Sequence, residues 1–268
     1  MIEVSRVPAD AALLEAFTAL ASRAAAAILA VAPADLAVME KRDHSPVTAA
    51  DLASEGVILE GLGKLLPGVP IVSEESPSAR PPGVSLNECV LVDPLDGTRE
   101  LVAGRDEFTV NIALIRRGVP YLGVIAAPAR GLFWRGIVGQ GAERLADQTG
   151  VRTPIRTRAR PVGGTVALVS RSHLDPATED YLARANVAEK RPCGSSLKFC
   201  HLAEGIADLY PRLGPTSEWD VAAGHAVLVA AGGSVTDPRG EPLAYGRSRD
   251  FRIPAFIARG DSALPIAP

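Results

Sequence analysis

From Val90 onward the chain turns β-rich, and this stretch constrains the fold more than any other. Val90-Leu91-Val92 carries the signal of a buried strand, which Pro94 is expected to end. Residues 109–115 and 121–126 flank Arg116-Arg117-Gly118-Val119-Pro120, which reads as a hairpin turn, and residues 132–138 continue the meander. Strands that follow one another through hairpins pair antiparallel, so a purely doubly wound βαβ fold is excluded.

Helices are expected on either side. The first starts near Asp10, a fitting N-cap after Pro8, and stops before Pro33. Its apolar stretch, residues 11–31, contains Glu15, Ser22 and Arg23, the pattern of an amphipathic helix of a globular protein rather than a membrane span. A second helix is predicted over residues 48–66, ended by Pro67-Gly68, with a short strand at 38–43 between the two. Residues 69–73 form a brief apolar run and 76–87 a Pro/Ser-rich linker, while the Arg- and Pro-rich stretch 152–164 marks a boundary. Beyond it, strands at 166–169 and 233–236 alternate with helices over 176–184, 196–204 and 220–231. The organisation implied is two layered α/β units, residues 1–155 and 156–268.

Composition narrows the function. Lys and Arg total 28 against 31 Asp and Glu, a formal charge of −3, and a dedicated nucleic-acid or membrane-surface binder would show a basic excess instead. Cys89, Cys193 and Cys200 are odd in number and form no C-x-x-C pair, so neither a disulfide framework nor a structural zinc site is expected. A reducing cytoplasm fits, and Met1-Ile2-Glu3-Val4 lacks the basic start of a signal peptide.

Acidic residues punctuate the ends of the apolar runs. Ile71-Val72-Ser73-Glu74-Glu75 does so once, and Leu91-Val92-Asp93-Pro94-Leu95-Asp96-Gly97-Thr98 does so again. Asp93 and Asp96 can converge beyond the sheet edge, and hard divalent cations take such oxygen ligands. Gly97-Thr98 would open a short helix whose free N–H groups face an anion beside the metal. A metal cluster beside a phosphate cradle implies phosphoryl transfer or hydrolysis. Taken singly, each element has a plainer explanation. Asp-Gly is a common turn pair, Glu74-Glu75 suits a solvated strand end, and Asp51 or Asp220 suits the first turn of a helix.

The strings together carry more weight. Ser45-Pro-Val-Thr-Ala-Ala-Asp51, Ser73-Glu-Glu-Ser76, Asp93-Pro-Leu-Asp-Gly-Thr98 and Glu218-Trp-Asp-Val-Ala-Ala-Gly224 resemble, in order, the motifs of the Mg²⁺-dependent, lithium-sensitive inositol monophosphatase and fructose-bisphosphatase superfamily. The resemblance implies an α-β-α-β-α sandwich with mixed, largely antiparallel sheets. It implies that Glu74, Asp93 and the Leu95 carbonyl bind a first Mg²⁺, that Asp93, Asp96 and Asp220 hold a second, and that Glu75 supports a third. Gly97 and Thr98 would contact the scissile phosphate. Asp51 and Thr98 would activate the attacking water, with Glu74 in the same catalytic group.

Substrate choice falls to the second half. Gly194-Ser-Ser-Leu-Lys198, Tyr210-Pro-Arg-Leu213 and Ser170-Arg-Ser-His173 look like the branch that hydrolyses 3′-phosphoadenosine 5′-phosphate to AMP and phosphate in sulfate assimilation. By that resemblance His173, Ser195, Lys198 and Arg212 contact the second phosphate or the nucleoside, with Asp220 also facing the substrate. Lys198 as a solvated helix residue and His173 as a turn residue stay open as alternatives. So does an inositol-1-phosphate or fructose-1,6-bisphosphate phosphatase with a broad pocket. A non-catalytic sensor is disfavoured because every proposed metal carboxylate is present. The oligomeric state, a homodimer among the options, is left open.

Overall fold

The fold is described from a computed structural model covering residues 10–32, 36, 39–40, 46–76, 86–172, 174–185 and 187–267. Asp10 opens α1 (Asp10–Ala30), whose stripe Leu13, Phe17, Leu20, Ala24 and Ile28 is buried. The helix is long and apolar enough to cross a membrane by length and composition, yet this stripe packs into the protein core. β1 (Met39–Glu40) and β2 (Pro46–Val47) form a small antiparallel pair. Thr48 then caps α2 (Ala49–Leu65), accepting the Ala50 N–H on its hydroxyl at 3.2 Å.

Seven strands build the main sheet. They are β3 (Ile71–Ser73), β4 (Glu88–Asp96), β5 (Thr109–Arg116), β6 (Val119–Ala127), β7 (Leu132–Ile137), β8 (Gly141–Ala146) and β9 (Arg152–Ile155), with α3 (Thr98–Val102) between β4 and β5. They lie side by side in chain order; β3 and β4 are parallel and all other neighbours antiparallel. Arg117 and Gly118, with φ of 57° and 76°, make the tight turn of the β5–β6 hairpin, since two left-handed residues match the twist of the strands.

The apolar runs have a simple cause. Successive residues of a strand face opposite sides, so continuous burial requires cover on both faces. Val90 and Val92 of β4 face α1 and α2, while Cys89 and Leu91 face the other way, toward the second half of the chain.

That second half holds β10 (Val166–Ser170), α4 (Pro176–Arg184), β11 (Glu189–Cys193), α5 (Leu197–Ala203), β12 (Leu209–Arg212), β13 (Thr216–Ser217), α6 (Glu218–Ala230), β14 (Ser234–Thr236), β15 (Arg252–Ile253) and β16 (Phe256–Arg259). Five of its strands form a mixed sheet in the order β11-β10-β12-β16-β14. Helices α5 and α6 fill the space between the two sheets, and α4 covers the far face of the smaller one. The layers therefore run α-β-α-β-α, as expected. Close approach is built in at Gly123 of β6, where a Cβ would stand 2.4 Å from the Ala223 carbonyl oxygen of α6.

Pro94 does not end β4. The strand continues to Asp96 with an irregular register, Asp93 facing Asn111 and Asp96 facing Thr109. Three steps on β4 oppose two on β5, so one residue is extra and the strand bulges. Proline donates no ladder hydrogen bond and is tolerated at such a bulge. The stretch 152–164 likewise begins with a strand, β9, whose Pro154 sits on the sheet edge.

Candidate active site

The bulge solves a problem of parity. Asp93 and Asp96 are three residues apart, and in a regular strand an odd spacing would send them to opposite faces. One extra residue restores a common side, and both line a cavity of about 430 Å³. The Leu95 N–H donates to Asp93 Oδ1 at 3.1 Å, which pins the turned backbone. Gly97 follows with φ of 94°, a left-handed conformation that a side chain would strain, and caps α3. Leu95, Gly97 and Thr98 all border the same cavity.

Two more carboxylates arrive by helix starts. Asp51 is the third residue of α2, and its Oδ2 accepts the Thr48 N–H at 2.7 Å and the Thr48 hydroxyl at 2.6 Å. Its other oxygen accepts the Thr98 hydroxyl at 3.0 Å, across 47 residues of chain. The capping role and the proposed catalytic contact thus use different oxygens of one carboxyl group. Asp220 stands at the equivalent place in α6, accepting the Ser217 N–H at 3.1 Å and the Thr216 hydroxyl on Oδ2. Glu74, just past β3, completes the group: carboxylate oxygens of Glu74, Asp93 and Asp220 lie within 4.8 Å of one another.

The crowding of these acids shows in their electrostatics. Burial first, then Glu74, Asp96, Asp220 and Asp51, push the Asp93 carboxyl well above the usual range. Burial and Asp220 raise Asp96 to about 6, although Lys198, Ser196 and Arg212 pull the other way. Hard carboxylate oxygens that crowd one buried point fit a divalent cation. Glu75 is half-buried beside Glu74 and does not border the cavity.

Cations stand on the opposite wall. Lys198 is 3% exposed, so it is no solvated helix residue. Its Nζ donates to the carbonyls of Ser195 at 2.6 Å and Cys193 at 3.2 Å and lies 5.0 Å from the Tyr210 ring. Half-buried Arg212 donates to the Pro215 carbonyl at 3.4 Å. Among the described residues neither forms an ion pair, although both border the cavity that holds the acids. Ser195 has φ of 44° and a buried hydroxyl with no hydrogen-bond partner among the described residues. His173 lies outside the described residues, as do Ser45 and residues 77–85 of the Pro/Ser-rich linker. Burial pushes the Cys193 thiol up to about 11 and Cys89 to about 12, which suits inert core thiols.

Sequence reasoning missed several residues. Asn111 Nδ2 donates to Ser196 Oγ at 2.9 Å, and Ser196 Oγ lies 3.1 Å from Asp96 Oδ2, so a neutral pair supports that carboxylate. The available signal was Asn111 itself, an amide inside the apolar run of β5. Arg252 and Glu100 also border the cavity. Arg252 reaches it because β15 pairs with β13, which places it opposite Ser217; nothing local in the sequence indicates this.

Comparison with known proteins identifies relatives across most of the chain. The sequence profile of the inositol monophosphatase family matches residues 10–259. The 3′(2′),5′-bisphosphate nucleotidase CysQ of Escherichia coli is 46% identical over 220 residues, 82% of this chain and 87% of that protein. The protein of the same name from Salmonella typhimurium is 45% identical over 247 residues, 91% and 98% of the two chains. Among solved structures, CysQ from Bacteroides thetaiotaomicron, a bacterial member of the inositol monophosphatase family, superposes with a TM-score of 0.78 at 35% identity, covering 92% of this chain and 97% of that one. The chain belongs to the inositol monophosphatase family.

Proposed function

We propose that this member of the inositol monophosphatase family is a 3′(2′),5′-bisphosphate nucleotidase, a phosphatase that hydrolyses the 3′-phosphate of 3′-phosphoadenosine 5′-phosphate to give AMP and phosphate. One observation carries the reading. The cavity that gathers Glu74, Asp93, Asp96 and Asp220 also holds Lys198 and Arg212, whose hydrogen bonds among the described residues go to carbonyls and not to carboxylates, so it has places for both a metal-bound phosphate and a second one. The similarity to curated nucleotidases over more than four-fifths of the chain supports the same substrate.

In this reading Glu74, Asp93 and the Leu95 carbonyl hold one Mg²⁺, Asp93, Asp96 and Asp220 hold another, and Glu75 supports a third. Bound there, the cations would acidify a water molecule and offset charge on the phosphoryl and leaving oxygens. The protein groups do the rest. Because Thr98 donates its hydroxyl hydrogen bond to Asp51, its oxygen can accept one from water; as the water attacks, its proton passes to Thr98 Oγ while the Thr98 proton passes to Asp51, whose carboxylate is neutralised. The Gly97 and Thr98 N–H groups hold the scissile phosphate, and Ser195, Lys198, Arg212 and His173 hold the remainder of the nucleotide. The unit of residues 1–155 contributes most of the metal ligands, and 156–268 contributes Asp220 and the selectivity residues. Lithium would inhibit by competing for a Mg²⁺ position, and the reaction belongs to sulfate assimilation in the cytoplasm.

Phosphate release from 3′-phosphoadenosine 5′-phosphate, inositol 1-phosphate and fructose 1,6-bisphosphate, measured side by side with Mg²⁺, tests the assignment. The bisphosphate nucleotide is expected to lead in kcat/KM by roughly tenfold or more. Equal or better turnover of either sugar phosphate overturns it.

A further inference from the structure

Outside the proposed metal ligands, two carboxyl groups border the cavity, exposed Asp250 and buried Glu100, and a polyanion-binding site does not obviously call for the buried one. Glu100 of α3 is 5% exposed. It lies apart from the trio of Glu74, Asp93 and Asp220. Its Oε1 accepts the Ser172 hydroxyl at 2.6 Å, and among the described residues that is its only hydrogen bond through the side chain. The arginine beside it is already engaged: Arg171 donates to both oxygens of Glu107, at 2.7 and 2.9 Å. Its stem packs closely over Gly194, where an added Cβ would stand 3.1 Å from the Glu100 Cγ, and the Gly194 N–H is tied to Glu107 at 2.9 Å.

A carboxylate can accept several hydrogen bonds, and one donor leaves most of that capacity facing the cavity. Phosphate oxygens cannot supply the missing donor and would be repelled. The part of the ligand beside Glu100 must therefore carry an O–H or N–H. Glu100 is two residues beyond Thr98 on the same short helix, next to the end assigned to the scissile phosphate. The donor nearest that phosphate on a nucleotide is the neighbouring sugar hydroxyl.

We propose that Glu100 is a specificity residue that accepts a hydrogen bond from the ribose hydroxyl adjacent to the scissile phosphate, so that the enzyme selects ribonucleotides over deoxyribonucleotides. The inference rests on the bisphosphate nucleotidase reading. Its test compares kcat/KM for 3′-phosphoadenosine 5′-phosphate, its 2′-deoxy counterpart and its inosine counterpart, using wild type, E100Q, E100A and E100D, with melting temperature as the control for folding. Wild type is expected to prefer the ribose form over the deoxy form by roughly 10- to 100-fold, the range for a hydrogen bond to a charged group. E100A collapses that preference by lowering turnover of the ribose form alone, E100Q weakens it, and E100D retains part of it.

Equal losses on ribose and deoxy substrates, or no loss on either, overturn the assignment while leaving the nucleotidase reading intact. So does a preference that follows the adenine amino group. A wild type inactive on all three nucleotides defeats the nucleotidase reading and this assignment with it. If E100A and E100Q do not fold, E100D and the wild-type preference decide: a wild type that turns over both sugars equally overturns the proposal.

Discussion

Two regions of this molecule bury charge, and they do so in opposite ways. At one, Arg135 of β7 is completely buried, and its guanidinium is saturated from within the protein. It donates to both oxygens of Glu15 at 3.0 Å, to Glu143 at 2.6 and 3.0 Å, and to the Thr18 hydroxyl at 3.0 Å. Burial works against that charge, and the hydrogen bonds to Glu15 and Glu143 more than offset it. At the other, Asp93 and Asp96 crowd against Glu74 and Asp220, and burial together with these acidic neighbours pushes both carboxyls up. The Arg135 region also borders the larger cavity, about 580 Å³ against about 430 Å³. Size therefore does not identify the reactive site. Mutual repulsion among buried carboxyl groups does, because a divalent cation from solution relieves it.

Breaking each cluster in turn separates the two kinds. The largest effect is expected from D96N, which removes a proposed metal ligand from the acidic cluster and should lower Mg²⁺-dependent kcat by at least about 1000-fold. The same change should raise the melting temperature of the metal-free protein, since it relieves repulsion. Near-normal turnover would defeat the two-metal arrangement. R135A does the reverse. It removes the hydrogen bonds to Glu15 and Glu143 and should cost about 3 kcal/mol in urea unfolding, the low end for a broken buried ion pair, because Glu15 is half exposed and keeps Arg152 at 3.1 Å. Its turnover should stay close to wild type; a stability loss under 1 kcal/mol would mean the cluster is not structural.

Removing metal exposes the asymmetry through pH. Asp96 titrates near 6 in the folded metal-free protein against an ordinary 3.8, so the native state binds the extra proton between those values. Its contribution to stability is fully present below pH 3.8 and is lost as pH rises through 6, up to about 3 kcal/mol in all. In EDTA the protein should therefore lose stability from about pH 4 to 6.5, a slope that D96N flattens and Mg²⁺ cancels. An identical slope in D96N would assign the effect elsewhere. The smallest change is expected on the cationic wall. K198A should reduce kcat/KM roughly 10- to 100-fold on the bisphosphate nucleotide and only slightly on a nucleoside monophosphate. Equal losses on both would remove Lys198 from the second phosphate.

Much of the fold was legible where local signals agree. α4 runs over the predicted residues because Asp175 caps it, accepting the Thr178 N–H at 2.9 Å, and Pro176 opens its first turn. β11 was not legible. Glu189-Lys-Arg-Pro-Cys193 is mostly charged and exposed, and only parallel pairing with β10 makes it a strand. Pro94 misled for a related reason: a proline stops a strand unless a bulge accommodates it, and the partner strand decides which. In the site, Lys198 was legible as a cation but its burial was not. Asn111 and Ser196 were not legible, because their importance lies in a chain of contacts, Asn111 to Ser196 across 85 residues and Ser196 to Asp96 across 100.

The sequence by itself determined which acids, turns and caps are available. Asp51 and Asp220 sit at the third position of their helices through hydrogen bonds to residues three places earlier, and such short-range geometry is written in local spacing. Tertiary structure alone decided that these ends meet. The bulge at Pro94, the layer of α5 and α6 between two sheets, and the pairing of β13 with β15 bring Asp51, Thr98, Asp96, Lys198 and Arg252 around one region. Desolvation and mutual repulsion depend on everything within a few ångströms, whatever its place in the chain, and this is why the raised Asp93 and Asp96 belong to the fold and not to the motif.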